Sequence, residues 1–208
     1  MLRAHVGRAV IDACREAFWP TLLTYLETYA HAPNRGAHRH FMPMPFEPPC
    51  FAPDFFFDND VLNIVRTVMD DRVVADQWGC DVPVRGSQHQ SVHVDYQRPL
   101  FAEDPDLALP AYMLVVSFGL TRIAAENGPI EIAPGTHRMR KQEALRAVEA
   151  GEIEMQPLLL EVGDVYSIRA PLVCGQQSRR QYDSTRGLGF VHVRATEHDA
   201  LPDRRQLT

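Results

Sequence analysis

No stretch of this chain gathers lysine and arginine, and no apolar run reaches the roughly 18 residues that a membrane-crossing helix needs. The first absence argues against a phosphate-tracking nucleic-acid surface, and the second against a spanning helix. After its first basic residues the N-terminus has no hydrophobic segment of the kind a secretory signal uses. Cysteine is scarce: Cys14, Cys50, Cys80 and Cys174 have no C-x-x-C spacing, so neither a disulfide framework nor a structural zinc site is indicated. Free thiols in a cytoplasmic protein are the simpler expectation. Gly119, Gly128 and Gly135 assemble into no phosphate-cradling loop. Internal repeats, low-complexity segments and a βαβ rhythm are all missing.

What remains is the composition of an ordinary globular protein: 208 residues, 45% hydrophobic, 23% charged, with a formal charge of -6. One domain over residues 1–208 is expected, with a helical N-terminal portion at about 8–69. Val10, Ile11, Cys14, Phe18, Leu22 and Leu26 recur at three and four, the period of a helix from residue 8 to about 29 that lies on something apolar. The next segment loses that period and, with Pro43, Pro45, Pro48 and Pro49 interleaved with aromatics, reads as an ordered loop. A shorter helix over residues 59–69 is expected to bury Val61, Leu62, Ile64, Val65 and Val68.

Beyond Asp71 the period is that of strands: 73–78, 89–96, 112–120, 130–132, 165–168 and 188–193, with a helix at about 140–149. Helices first and antiparallel strands after them predict a mainly β protein, a sandwich or barrel with helices packed outside.

The strand at 89–96 carries His93-Val94-Asp95. Residues i and i+2 of a strand share a face, so an imidazole and a carboxylate are aimed at one point. Such a pair supplies two ligands of a 2-His-1-carboxylate iron centre. A structural histidine beside a surface aspartate is the competing interpretation. Polar Gly86-Ser87-Gln88-His89-Gln90 before the pair and an aromatic wall from Tyr96 to Phe101 after it favour a pocket. Downstream, Glu126-Asn127-Gly128-Pro129 and Pro134-Gly135-Thr136-His137 have the glycines and prolines of a tightly built loop.

Taken together, Asn34-Arg35-Gly36, Gly86-Ser87 with Gln90, His93-Val94-Asp95, Asn127-Gly128-Pro129, Pro134-Gly135-Thr136-His137 and Gly163-Asp164-Val165 resemble the phytanoyl-CoA dioxygenase-like branch of the iron and 2-oxoglutarate-dependent oxygenases. The resemblance covers about residues 34–194. It implies a double-stranded β-helix, or jelly roll, holding ferrous iron and 2-oxoglutarate and acting on a small natural product by hydroxylation, desaturation or ring formation. His93 and Asp95 match the first two metal ligands, and Gln90 falls where a polar contact to the cosubstrate is common. Arg186, with Arg179 and Arg180 nearby, matches the arginine that meets the cosubstrate's carboxylate. Phe41, Met42, Tyr96 and Phe101 are expected to contact substrate, with no nucleic acid or membrane as partner.

One position departs from the family. Its distal histidine follows the Gly-Asp turn by about eleven residues, and here that count lands on Cys174. Cys174 is thus either a thiolate third ligand or a bystander in a site that has lost its iron, with His192 as another source of the third ligand. A thiol nucleophile with His192 as base is a further alternative. An oxygenase, a metal-independent isomerase, cyclase or hydrolase with no cofactor, and an inactive binding protein all remain open.

Overall fold

Helical spacing of apolar side chains accounts for the first element. The computed structural model describes residues 1–52, 55, 59–69, 73–95, 111, 113–169, 172–176 and 188–195. In it, helix α1 (Arg8–Tyr29) turns Ile11, Cys14, Phe18 and Leu22 into the core, with Val10 and Leu26 half-buried beside them. Helix α2 (Asn59–Met69) buries Val61, Val65 and Met69. Ile64 and Val68 remain exposed, which corrects the expectation that the whole apolar stripe is covered. Full burial is limited to one row at four-residue spacing, with Leu62 half-buried beside it, and the stripe is wider than the face that packs. Among the described residues no helix is long and apolar enough to cross a membrane.

The described residues form nine strands: β1 (Arg39–Pro43), β2 (Val73–Pro83), β3 (Gln90–Val94), β4 (Met113–Gly119), β5 (Ile130–Ile132), β6 (Gln156–Leu158), β7 (Val165–Arg169), β8 (Val173–Gln176) and β9 (Leu188–Ala195). Helix α3 (Lys141–Glu149) lies between β5 and β6. A five-stranded sheet has the order β1-β2-β9-β4-β7, and a four-stranded sheet the order β3-β8-β5-β6, with all these pairs antiparallel. From β2 onward the chain passes back and forth between the sheets, and the interleaved orders are those of an eight-stranded jelly roll with β1 added at one edge.

Strand β1 falls where the sequence predicted a loop. Asn34 holds it in place: its amide donates to the Phe41 carbonyl at 2.9 Å and its Oδ1 accepts the Phe41 N–H at 2.7 Å. That side chain satisfies backbone groups at an edge where no further described strand follows β1 in the sheet order. Strand β4 is buried at every position, which is why it reads as a continuous apolar run rather than an alternation. Phe55 stacks on Phe118 with centroids 4.5 Å apart, and Trp78 leans on the same ring at 5.6 Å. The indole N–H of Trp78 donates to the Pro45 carbonyl, so its polar edge is satisfied inside the core.

A second cluster, Ile123, Leu160, Tyr166, Ile168 and Leu172, packs with Ile130 and Ile132. It joins β7 of one sheet to β5 of the other and therefore marks the space between the sheets. On the far side of the four-stranded sheet, Val92, Val94 and Ala133 pack with Ala144, Leu145 and Val148 of α3. The two faces of this sheet are thereby distinguished: Ile130 and Ile132 point inward, and Val92 and Val94 point outward.

The Gly163-Asp164 turn ties the N-terminal residues to β7. Gly163 has φ +93°, and a Cβ there would lie 2.4 Å from the Val6 carbonyl oxygen, so only glycine fits. Buried Asp164 accepts the Ala4 N–H at 2.8 Å and the Glu161 N–H at 3.0 Å and pairs with Arg3. Burial raises the carboxyl pKa, but those hydrogen bonds and the Arg3 charge outweigh it, and the net shift is downward. Asp164→Ala is predicted to destabilise the fold by about 1–3 kcal/mol in denaturant unfolding at neutral pH, because the two N–H donors lose their acceptor. A carboxyl with a depressed native pKa contributes stability above its unfolded value of about 3.9 and loses it as pH falls through the native value. The difference between the native protein and the variant is therefore expected to shrink below about pH 4.

Candidate metal centre

Strand β3 alternates as its sequence predicts, with Val92 and Val94 against α3 and His93 on the inner face. Asp95, one residue past the strand, returns to that inner face: its Oδ1 lies 3.8 Å from His93 Nε2. Across the sheet, His93 is the register partner of Cys174 in β8, and Cys174 is in turn the partner of Ile132 in β5. Cys174 Sγ lies 3.8 Å from His93 Nε2 and 3.7 Å from Asp95 Oδ1. Three potential donor atoms, a nitrogen, an oxygen and a sulfur, thus form a nearly equilateral triangle.

A register irregularity between Gln90 and His93 helps to make the site. Three residue steps in β3 oppose two in β8, from Gln90↔Gln176 to His93↔Cys174, so β3 carries one extra residue. A bulge of this kind re-aims side chains. It puts Gln90 at a register position on the same side as His93 despite their odd separation. Within the irregular stretch, the Ser91 carbonyl accepts a hydrogen bond from His93 Nδ1 at 2.7 Å. Because a carbonyl only accepts, Nδ1 carries a proton and Nε2 is the ring nitrogen turned to Cys174 and Asp95. This is the arrangement that orients metal-ligating histidines.

Access is graded across the triangle. Cys174 is 5% exposed, whereas the His93 and Asp95 side chains are 22% and 34% exposed, so the site opens on the Asp95 side. Burial pushes the Cys174 thiol well up from its ordinary pKa, and the neighbouring Asp95 charge and hydrogen bond add to the shift. The thiol accordingly donates its hydrogen to Asp95 Oδ1. A thiol in this state is the opposite of an activated nucleophile, whose pKa is lowered by nearby positive charge. His192, the base in that alternative, belongs to β9 of the five-stranded sheet, opposite Gln77 and Val115. The triad positions belong to the four-stranded sheet, so the topology separates His192 from Cys174 by sheet.

The loop at 126–138 is as tightly built as its glycines and prolines predict. Asn127 accepts the Ala124 N–H at 2.8 Å and donates to the Arg122 carbonyl at 2.7 Å, Gly128 and Gly135 have positive φ, and buried Thr136 donates to the Ala133 carbonyl. This geometry fixes β5, the strand beside Cys174.

Residues 14–173 match the family model for phytanoyl-CoA dioxygenase. The chain belongs to this family. A comparison with curated proteins returns no match. Among solved structures, HygX from Streptomyces hygroscopicus, with nickel and 2-oxoglutarate bound, superposes with a TM-score of 0.62 at 15% identity over 94% of this chain and 82% of its own. SnoN, a non-heme α-ketoglutarate-dependent epimerase from nogalamycin biosynthesis, gives 0.60 at 10% identity over 93% and 76%. EvdMO1 gives 0.53 at 20% identity over 68% of this chain, which spans only 32% of EvdMO1. At these identities the likeness is one of fold, and it is the jelly-roll fold read from the strand order.

Of the residues that the resemblance assigns as metal donors, His93 and Asp95 are brought together, and Cys174 stands across the ladder from them. Imidazole, carboxylate and thiol are each donors to divalent transition-metal ions, so the set fits a metal with one change of element at the third position. Phe41 and Met42 lie on β1, at the edge of the five-stranded sheet. Met42 packs against the main core, and Phe41 covers Gly79 beneath the Arg35 guanidinium. Tyr96, Phe101, Arg179, Arg180 and Arg186 lie outside the described residues. The contribution of Ser91 was missed in the sequence because it is made by a backbone carbonyl, which no residue type announces.

His93→Ala and Asp95→Ala are each predicted to abolish uptake of nickel or manganese in equilibrium dialysis. Their metal-free stability should stay within about 0.5 kcal/mol of the native value, since both side chains are partly exposed. Undiminished uptake in both variants would show that the metal pair is misassigned.

Proposed function

We propose that this protein is an iron and 2-oxoglutarate-dependent oxygenase-like enzyme that modifies a small organic molecule of the natural-product kind. The observation that carries this reading is the convergence of His93 and Asp95 on the inner face of a jelly roll, with their free donor atoms 3.8 Å apart. Family membership supports it, as does the fold shared with HygX, also solved with hygromycin B bound, and with SnoN, solved with Fe3+, α-ketoglutarate and nogalamycin RO. The likeness to an epimerase leaves the reaction type open among hydroxylation, desaturation, ring formation and epimerisation.

His93 and Asp95 hold the metal, and Cys174 occupies the third corner. Ferrous iron with 2-oxoglutarate and oxygen supplies the oxidising power to break a C–H bond. The chain's own part is to bind and orient. The Ser91 carbonyl fixes the His93 ring, and the Ile130 and Ile132 face of β5 supplies an apolar wall inside the sandwich. Gln90 serves as a polar contact to the cosubstrate and Arg186 as the planar partner of its distal carboxylate. Phe41, Met42, Tyr96 and Phe101 are assigned to the substrate. The whole of 1–208 acts as one jelly-roll unit, in the cytoplasm, in keeping with four free thiols.

A second reading is supported by the thiol at Cys174: a metal-independent isomerase, cyclase or hydrolase on the same scaffold. The two separate by cosubstrate use. The oxygenase reading predicts oxygen-dependent release of succinate from 2-oxoglutarate with added ferrous iron, and loss of that release under a chelator. Arg186→Ala should raise the 2-oxoglutarate requirement by about tenfold or more, since a charge-assisted hydrogen bond contributes roughly 1.5–3 kcal/mol. Cys174→His should raise iron occupancy and succinate yield. Substrate conversion that persists under chelator without oxygen would establish the second reading instead.

A further inference from the structure

The triangle at the site has a size, and its size bears on which metal it takes. Its three edges are 3.8, 3.7 and 3.8 Å. The point equidistant from three such atoms, the edge divided by the square root of three, lies about 2.2 Å from each, within the range of zinc–imidazole, zinc–carboxylate and zinc–thiolate bonds of roughly 2.0–2.3 Å. With those bond lengths, ligands at a tetrahedral angle are about 3.4–3.6 Å apart, whereas ligands at the right angle of an octahedral face are about 2.9–3.1 Å apart. The observed edges exceed the first spacing by about 0.1–0.4 Å and the second by about 0.6–0.9 Å. A small contraction completes a four-coordinate site, and a large one is needed for a six-coordinate site.

The donor atoms point the same way. Sulfur is a soft donor that favours zinc-class and other thiophilic ions, imidazole serves zinc and iron alike, and all-oxygen sets favour the harder ions. Three protein ligands with a fourth position free is also the pattern of zinc sites that do chemistry. Of the His93 and Asp95 side chains, that of Asp95 is the more exposed. A thiol that is 5% exposed, with its sulfur against Asp95 and His93, has little solvent interaction to surrender on binding an ion.

We propose that Cys174 is a thiolate ligand, and that the His93–Asp95–Cys174 set binds a four-coordinate, thiophilic divalent cation of the zinc class in preference to ferrous iron. It rests on the reading of His93 and Asp95 as the metal pair. Oxidative chemistry is then available only when iron is loaded and zinc is excluded, so metal supply selects between an oxidising centre and a Lewis-acid centre in the same chain.

Cobalt(II) titration of the full chain tests this without reference to turnover. The native protein should bind one cobalt ion with a near-ultraviolet sulfur-to-cobalt charge-transfer band and the intense visible bands of tetrahedral cobalt. One equivalent of zinc should displace it, and one equivalent of ferrous iron under anaerobic conditions should not. In Cys174→Ala the near-ultraviolet band should vanish and affinity should fall by more than the roughly 10- to 100-fold that loss of an outer-shell partner costs. Cys174→His, which keeps three ligands, should bind cobalt without the near-ultraviolet band and let ferrous iron compete; it carries the test if the alanine variant does not fold. Native protein that binds cobalt with only weak octahedral bands, or a band that survives in Cys174→Ala and Cys174→His, would overturn the thiolate proposal and leave the His93–Asp95 pair standing. Native protein that binds no cobalt, zinc or iron would overturn both.

Discussion

The pairing of β3 with β8 is the constraint on which the site depends. An antiparallel ladder places directly opposite residues about 5 Å apart, and it brings His93 to Cys174 across 81 positions of sequence. Because the side-chain period of a strand is two, a slip of one residue would turn Cys174 outward toward α3 and leave Gly175 in its place. What prevents the slip is burial on both faces. Ile132 next to Cys174 is held in the interior cluster, and Val94 next to His93 is held under α3. The irregularity between Gln90 and His93 then interrupts the regular ladder, and within it the Ser91 carbonyl holds the imidazole.

The larger sheet and its helices provide the rigidity behind this arrangement. The ring cluster of Phe55, Trp78 and Phe118 and the buried row of α1 back one sheet, while the cluster around Tyr166 and Ile168 joins it to the other. Burying side chains of this size stabilises by about 1.5–3 kcal/mol each, and the many of them in these clusters together outweigh the few polar contacts at the site. The scaffold can therefore hold a thiol beside a carboxylate at this site without depending on that pair for its stability. Local disagreement with the rules of folding is what a functional centre looks like.

Much of this was legible in the chain, and for identifiable reasons. Helix α1, helix α2 and strand β5 are bounded as their periodicity predicts, since the two helices each bury a row of apolar side chains and β5 turns Ile130 and Ile132 to one apolar cluster. His93 and Asp95 were visible because period two is a strong local rule, and Cys174 through its distance from the Gly163-Asp164 turn. Strand β1 was not visible, because its pairing partner β2 begins 34 residues after it and prolines at its end read as loop. The exposure of Ile64 and Val68 was not visible either, since the apolar stripe of a helix does not say how wide the receiving surface is. Ser91 carried no signal at all, because its contribution is a carbonyl aimed by a bulge.

The metal preference proposed for this site requires that His93, Asp95 and Cys174 together form one metal-binding centre. X-ray absorption at the zinc edge of stoichiometrically loaded protein tests it directly. The account predicts one sulfur scatterer at about 2.3 Å with nitrogen or oxygen scatterers at about 2.0–2.1 Å, one of them with the outer-shell signature of imidazole. A first shell of nitrogen and oxygen alone would contradict the account.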